Sequence, residues 1–185
     1  MTDSRLTYCP LCRTQLTLAE RGGRDRQICP ADDCSFVDWN NPIPVVAAIV
    51  EHAGNVILVR SLGWPEGWYG LVAGFLEPGE RPEQAVLREV EEEIGIVADT
   101  PNYIGAYPFE LRNQIIFTYH IAVEHAQIRL CEKELAGYRI VPIEKLKPWS
   151  RGTGPALRDW LVARGFDPVT VEFGQHLDPQ SPVED

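Results

Sequence analysis

The chain has 185 residues, with 17 Lys and Arg against 27 Asp and Glu and a formal charge of −10. That length accommodates one main hydrophobic core with a small appendage, and the acidic balance argues against a broad basic surface that grips a phosphate backbone. A phosphorylated substrate would need a cation's help.

No run approaches the roughly 18 apolar residues of a membrane helix. The first ten residues, MTDSRLTYCP, carry neither the basic nor the apolar region of a secretory signal. A cytoplasmic protein with no membrane partner is therefore expected.

In chain order, the first feature is a set of cysteines. Cys9 and Cys12 form one tight pair, Cys29 and Cys34 a second, with 16 residues between the pairs. Each short spacing folds a turn that aims two thiolates at one point, and two such turns complete a tetrahedral Zn²⁺ site. Two disulfides would use the same residues. A reducing compartment and the odd fifth cysteine, Cys131, fit that alternative less well. Residues 1–40 are read as a zinc ribbon that depends on its metal for folding, because the stretch has little apolar content.

After the breaker NNPIPV, two β-branched runs, 45–51 and 56–61, flank the turn HAGN and read as a hairpin. The loop LGWPEGWYG leads into a short strand, LVAGF. A helix is expected from Pro82, where proline suits the first turn, to the residue before Gly95. Strands are expected in PNYIGAYPFE and NQIIFTYHIAVE. The stretch RLCEKELAGYRIVPIEKL reads as a turn, a strand and a helix start, and GPALRDWLVARG as an amphipathic helix. Residues 41–172 would thus form one mixed α/β domain, and 173–185, without periodicity, a flexible acidic tail.

The helix after Pro82 carries the chemistry. Glu89, Glu92 and Glu93 stand at i, i+3 and i+4 and share one face, while Val86, Leu87, Val90 and Ile94 occupy the adjoining arc. Carboxylates held that close repel and raise each other's pKa unless a divalent cation sits among them. Mg²⁺ or Mn²⁺, which take oxygen ligands and bridge carboxylates to phosphates, would supply the missing charge. A solvated Glu-rich helix face would show the same composition.

The wider pattern discriminates between these. Gly74, Glu80, Arg88, Glu89, Val90, Glu92, Glu93, Gly95 and Ile96 fit G-x5-E-x7-R-E-U-x-E-E-x-G-U, with U a bulky aliphatic residue. This segment resembles the Nudix box. The resemblance implies a Nudix fold, a mixed β-sheet sandwiched between helices, here preceded by a small four-cysteine zinc ribbon. It implies metal-dependent hydrolysis of a nucleoside diphosphate linked to another moiety, and hence a small-molecule nucleotide partner. It assigns Glu89, Glu92, Glu93 and the Gly74 carbonyl as Mg²⁺ or Mn²⁺ ligands, and Arg88 and Glu80 as residues that orient them. Glu134, in ELAGYRIVP, resembles a further metal-binding or catalytic glutamate.

A ribbon followed directly by such a domain is similar to bacterial NADH pyrophosphatases, with two departures. Those enzymes carry an extra domain ahead of the ribbon, where eight residues precede Cys9 here. They also carry S-Q-P-W-P-F-P downstream of the box, where this chain has IGAYPFEL. A second zinc-ribbon group, resembling plant enzymes that act on FAD or ADP-ribose, lacks both features.

The expected function is cleavage of NADH or NAD, FAD or ADP-ribose to mononucleotides. Trp68, Phe75, Tyr107 and Phe109 are the candidates to hold the substrate's rings, and Arg112 and Arg139 are cations whose positions the sequence leaves open. The alternatives are a nucleotide-sensing or protein- or RNA-binding module, and an enzyme that removes a nucleotide cap from RNA. The acidic balance weighs against nucleic acid as a partner. The ribbon is read as structural, with homodimer formation, common in the family, as a second role.

Overall fold

The computed structural model describes residues 6–173, so the expected tail, 173–185, lies outside the description except for Phe173. Two compact units divide between Pro42 and Ile43, two residues beyond the expected ribbon boundary. Among the described residues no helix is long and apolar enough to cross a membrane.

The first unit contains a three-stranded antiparallel sheet of β1 (Thr17–Arg21), β2 (Arg24–Ile28) and β3 (Val37–Asp38). Its small core gathers Leu16 and Phe36 around Cys9, Cys29 and Cys34. So few apolar side chains make a small core for a folded unit.

The second unit is built on a six-stranded mixed sheet. Its strands are β4 (Ile43–His52), β5 (Asn55–Ser61), β6 (Val72–Phe75), β7 (Asn102–Phe109), β8 (Gln114–Val123) and β9 (Leu135–Pro142). The order is β7-β8-β4-β5-β9, with β6 pairing β4 off that path. The expected hairpin joins β4 to β5 through Ala53 and Gly54, both at positive φ, which twists the turn to match the strands. β4 lies parallel to β8 along its whole length, from Ile43 opposite Gln114 to His52 opposite Val123.

Alternation along β4 explains why its apolar run is continuous. Val46, Ala48 and Val50 pack with Val86, Val90 and Ile94 of α1 (Pro82–Ile94). Val45, Ala47 and Ile49 pack on the opposite face with Leu157, Trp160 and Leu161 of α2 (Gly154–Ala163). A strand covered on both faces has no solvated side to mark with polar residues. The architecture is the expected one, a mixed sheet between helices.

Helix α1 has the boundaries its sequence announces. Arg81 caps it, with the Arg81 N–H donating to Gln84 Oε1 at 3.1 Å, and Pro82 takes the first turn. Gly95, left-handed at φ 70°, ends it by donating its N–H to Glu91 O at 2.9 Å.

Candidate active site

The four cysteines of the first unit converge. Their Sγ atoms all lie within 4.8 Å of one another, with Cys9 and Cys34 at 3.6 Å and Cys12 and Cys29 at 3.4 Å. None is in a disulfide. Zn–S bonds of about 2.3 Å in a tetrahedron place sulfurs about 3.8 Å apart, so the donor set and its size both fit Zn²⁺. The four thiols do not share one protonation tendency: Cys12 is pulled down to about 6 by the Thr14 hydroxyl and backbone, while burial and the neighbouring thiols raise Cys29 and Cys34 against backbone hydrogen bonds that lower them. Cys131 is a bystander, half-buried in the second unit.

In the second unit, α1 packs against β6 so tightly that Glu89 lies on the backbone of Gly74. A Cβ at residue 74 would stand 2.0 Å from the Glu89 carboxyl carbon and Oε1. Glycine is therefore the only residue that leaves room for the carboxylate.

Arg88 organises the acids around it. Its Nε and Nη2 donate to the two oxygens of Glu80, each at 2.9 Å, and its Nη1 to Glu89 Oε1 at 2.8 Å and Glu92 Oε2 at 2.9 Å. Nη2 also donates to the Phe75 carbonyl at 3.1 Å, which ties the helix to the end of β6. The paired Arg88 holds the Glu80 carboxyl below the usual range.

Glu89 and Glu93 are buried, at 9% and 7% exposure. Burial raises the pKa of Glu89 despite its bond to Arg88. Glu93 is pushed up to about 8 by burial first, then by the charges of Glu89 and Glu134, with a backbone hydrogen bond from Ala73 working the other way. Glu93 Oε2 is buried with no hydrogen-bond partner. A buried carboxylate oxygen without a hydrogen bond, set among like charges, suits a hard divalent cation as its partner, and the residues present fit Mg²⁺ or Mn²⁺.

Helical spacing alone places all three acids together, and here the structure differs. Glu92 turns outward, its side chain 59% exposed and bonded to Arg88. Among the described residues the cysteines, not the glutamates, form the cluster already gathered for an ion. Glu134 is exposed at the loop before β9, near enough for its charge to act on both Glu89 and Glu93.

Beside the carboxylates opens a cavity of about 530 Å³. Trp68, Phe75 and Phe109 line it, as do the β6 residues Ala73 and Gly74 and the cation Arg112. Tyr107 does not. It points to α2, where its hydroxyl donates to Asp159 Oδ2 at 2.9 Å. Arg139 stacks its guanidinium 4.7 Å over the Tyr69 ring, itself part of the lining. Sequence reasoning missed Trp149 and Phe173. Both come from the irregular segments flanking α2, where no periodicity assigns a facing direction.

A NUDIX domain profile matches residues 41–160. The chain belongs to the Nudix family. Its curated relatives include the NAD-capped RNA hydrolase NudC of Stutzerimonas stutzeri, 28% identical over 143 residues that cover 77% of this chain and 50% of that one. NudC of Pseudomonas aeruginosa is 26% identical over 159 residues, covering 85% and 56%. The human NAD-capped RNA hydrolase NUDT12 is 28% identical over 144 residues, covering 74% and 31%. The Nudix chain described here thus spans about half the length of its bacterial relatives and less of the human one. Among solved structures, a Nudix hydrolase of Nitrosomonas europaea superposes with a TM-score of 0.69 at 20% identity, covering 91% of this chain and all of that one. That likeness supports the fold.

Proposed function

We propose that this Nudix chain is a divalent-cation-dependent pyrophosphohydrolase that splits the diphosphate bridge of ADP-containing dinucleotides, among them NADH or NAD, FAD and ADP-ribose, into mononucleotides. One observation carries the reading. The β6 residues Ala73 and Gly74 border both the buried carboxylates and the cavity, so a ring held in the cavity leaves its phosphates beside Glu89 and Glu93.

In this reading Glu89, Glu92, Glu93 and the Gly74 carbonyl would hold Mg²⁺ or Mn²⁺, with Glu134 facing them. Such an ion, when bound, offsets phosphate charge and makes a coordinated water acidic enough to attack phosphorus. The chain's own residues do the positioning. Arg88 fixes Glu89 and Glu92 through one nitrogen and is itself locked by Glu80. Trp68, Phe75 and Phe109 offer ring surface to the substrate, and Arg112 places a cation on the cavity wall. In the first unit, Cys9, Cys12, Cys29 and Cys34 would hold a structural Zn²⁺, since four protein ligands leave no open position. Homodimer formation is read as a second role of the ribbon.

The test is AMP release from NADH with Mg²⁺. Glu93→Gln keeps the shape of the side chain and removes its charge, and is expected to lower turnover by about 10²-fold or more. A variant with near-normal turnover would contradict the assignment.

A second reading follows from the relatives' names, which include RNA capped with NAD. The same site would act on the NAD end of a longer chain, and the acidic net charge does not stand against this, because a short stretch of strand can be held locally. Comparing rates on free NAD and on RNA carrying NAD at its 5′ end separates the two.

A further inference from the structure

Beyond the domain match, which ends at residue 160, the chain returns to the cavity. Val171 bridges Trp149 in parallel, and its N–H donates to the Pro148 carbonyl at 2.8 Å. Two residues on, the Phe173 N–H donates to Ser150 Oγ at 3.1 Å, and that hydroxyl donates to Glu172 Oε2 at 3.4 Å. These bonds seat the Phe173 ring 6.1 Å from Trp68 at 62° and 5.9 Å from Phe109 at 60°. All three rings line the cavity, and Phe173 keeps 39% of its surface exposed. Gly152, at φ +63°, brings the backbone beneath them, where a Cβ would stand 3.9 Å from both Phe109 and Phe173.

We propose that Phe173 is a specificity-determining residue, whose ring completes with Trp68 and Phe109 the wall on which a planar heterocycle of the substrate stacks. The proposal deepens the hydrolase reading and rests on it. Phe173 is tilted about 60° to both Trp68 and Phe109, so the three rings form a corner rather than a parallel stack. A nitrogen heterocycle finds there the edge-to-face and offset contacts that aromatic pairs prefer. The apolar corner selects for a ring and is indifferent to the sugar. Adenine and nicotinamide share this chemistry, and the experiment distinguishes them. Phe173 carries no group that could bind a cation or move a proton, so it acts on binding and not on the bond-breaking step.

The test uses the full chain with zinc bound. With NADH and Mg²⁺, Phe173→Ala is expected to raise KM about ten-fold, the order that stacking on one aromatic ring carries, with kcat held within about two-fold because the transition-state contacts are untouched. Phe173→Trp is expected to restore KM. A second arm needs no turnover. AMP, NMN and ribose 5-phosphate are titrated without divalent cation, followed by the fluorescence of the lining tryptophans, Trp64, Trp68 and Trp149. Phe173→Ala should weaken whichever ring nucleotide uses the wall and leave ribose 5-phosphate unchanged. If the protein cleaves NADH but KM is unmoved, the proposal fails and the hydrolase reading stands. If it cleaves no dinucleotide yet loses AMP or NMN binding in Phe173→Ala, the wall is supported and the hydrolase reading fails. Equal weakening of all three ligands, no nucleotide binding at all, or a fall in kcat that Phe173→Trp does not rescue overturns the proposal.

Discussion

Glu93 makes the stability of the protein depend on pH in a direction opposite to that of an ordinary surface carboxylate. Its pKa is near 4.5 in the unfolded chain and about 8 when folded without a cation. Between those values the folded state binds a proton that the unfolded state does not, so the stabilising contribution is complete below pH 4.5 and is lost as pH rises through 8. At about 1.36 kcal/mol per unit the loss reaches about 4 kcal/mol at pH 8. Glu89, also raised, acts in the same direction.

His120 acts the other way. Burial lowers its pKa, so the folded state favours the neutral ring and stability rises with pH up to about 6.5. Comparing the wild type with Glu93→Gln cancels that contribution. In buffer free of divalent cations, the two should melt at nearly the same temperature at pH 5. At pH 8 the variant should melt about 10 °C higher, by the usual conversion for a chain of this size. Added Mg²⁺ should narrow the gap by stabilising only the wild type. A melting difference that does not change between pH 5 and 8 would show that Glu93 ionises normally and would refute the account of a strained carboxylate.

Gly74→Ala places a methyl group where the Glu89 carboxylate now lies, at 2.0 Å. It should displace Glu89 and lower NADH hydrolysis by about 10²-fold, with the far-ultraviolet circular dichroism unchanged; full activity would show that Glu89 need not sit there. Removing zinc with a chelator should unfold Met1–Pro42 and spare the second unit, since only the first has a core of a few residues around its cysteines. Limited proteolysis should then cut within that segment alone, and a ribbon that stays resistant would contradict a metal-dependent fold.

Helix α1 was legible because its punctuation is local. Pro82 starts it and Gly95 stops it, and both do so through backbone geometry that neighbours do not alter. The cysteine pairs were legible for a similar reason, each spacing being one turn. The parallel pairing of β4 with β8 was not, because Ile43 and Gln114 are far apart in sequence and nothing in either run specifies its neighbour.

The site shows the same division. Spacing put Glu89, Glu92 and Glu93 on one face, but their different depths come from β6 and Arg88, which bury two acids and hold the third outside. Tyr107 was read as a ring contact from its place beside Pro108 and Phe109. Its hydroxyl instead bonds Asp159, while Phe109 turns into the cavity. Phe173 opens a stretch without periodicity, so only hydrogen bonds to Ser150 and a bridge at Trp149 reveal where it sits.

Binding of Mn²⁺ to the full chain, counted by the loss of its free-ion electron paramagnetic resonance signal, tests the carboxylate site most directly. The wild type with zinc in place should take up Mn²⁺, and Glu93→Gln and Glu89→Gln should each weaken the uptake by about an order of magnitude or more. Uptake that is absent in the wild type, or equal in all three proteins, would contradict the assignment of that site.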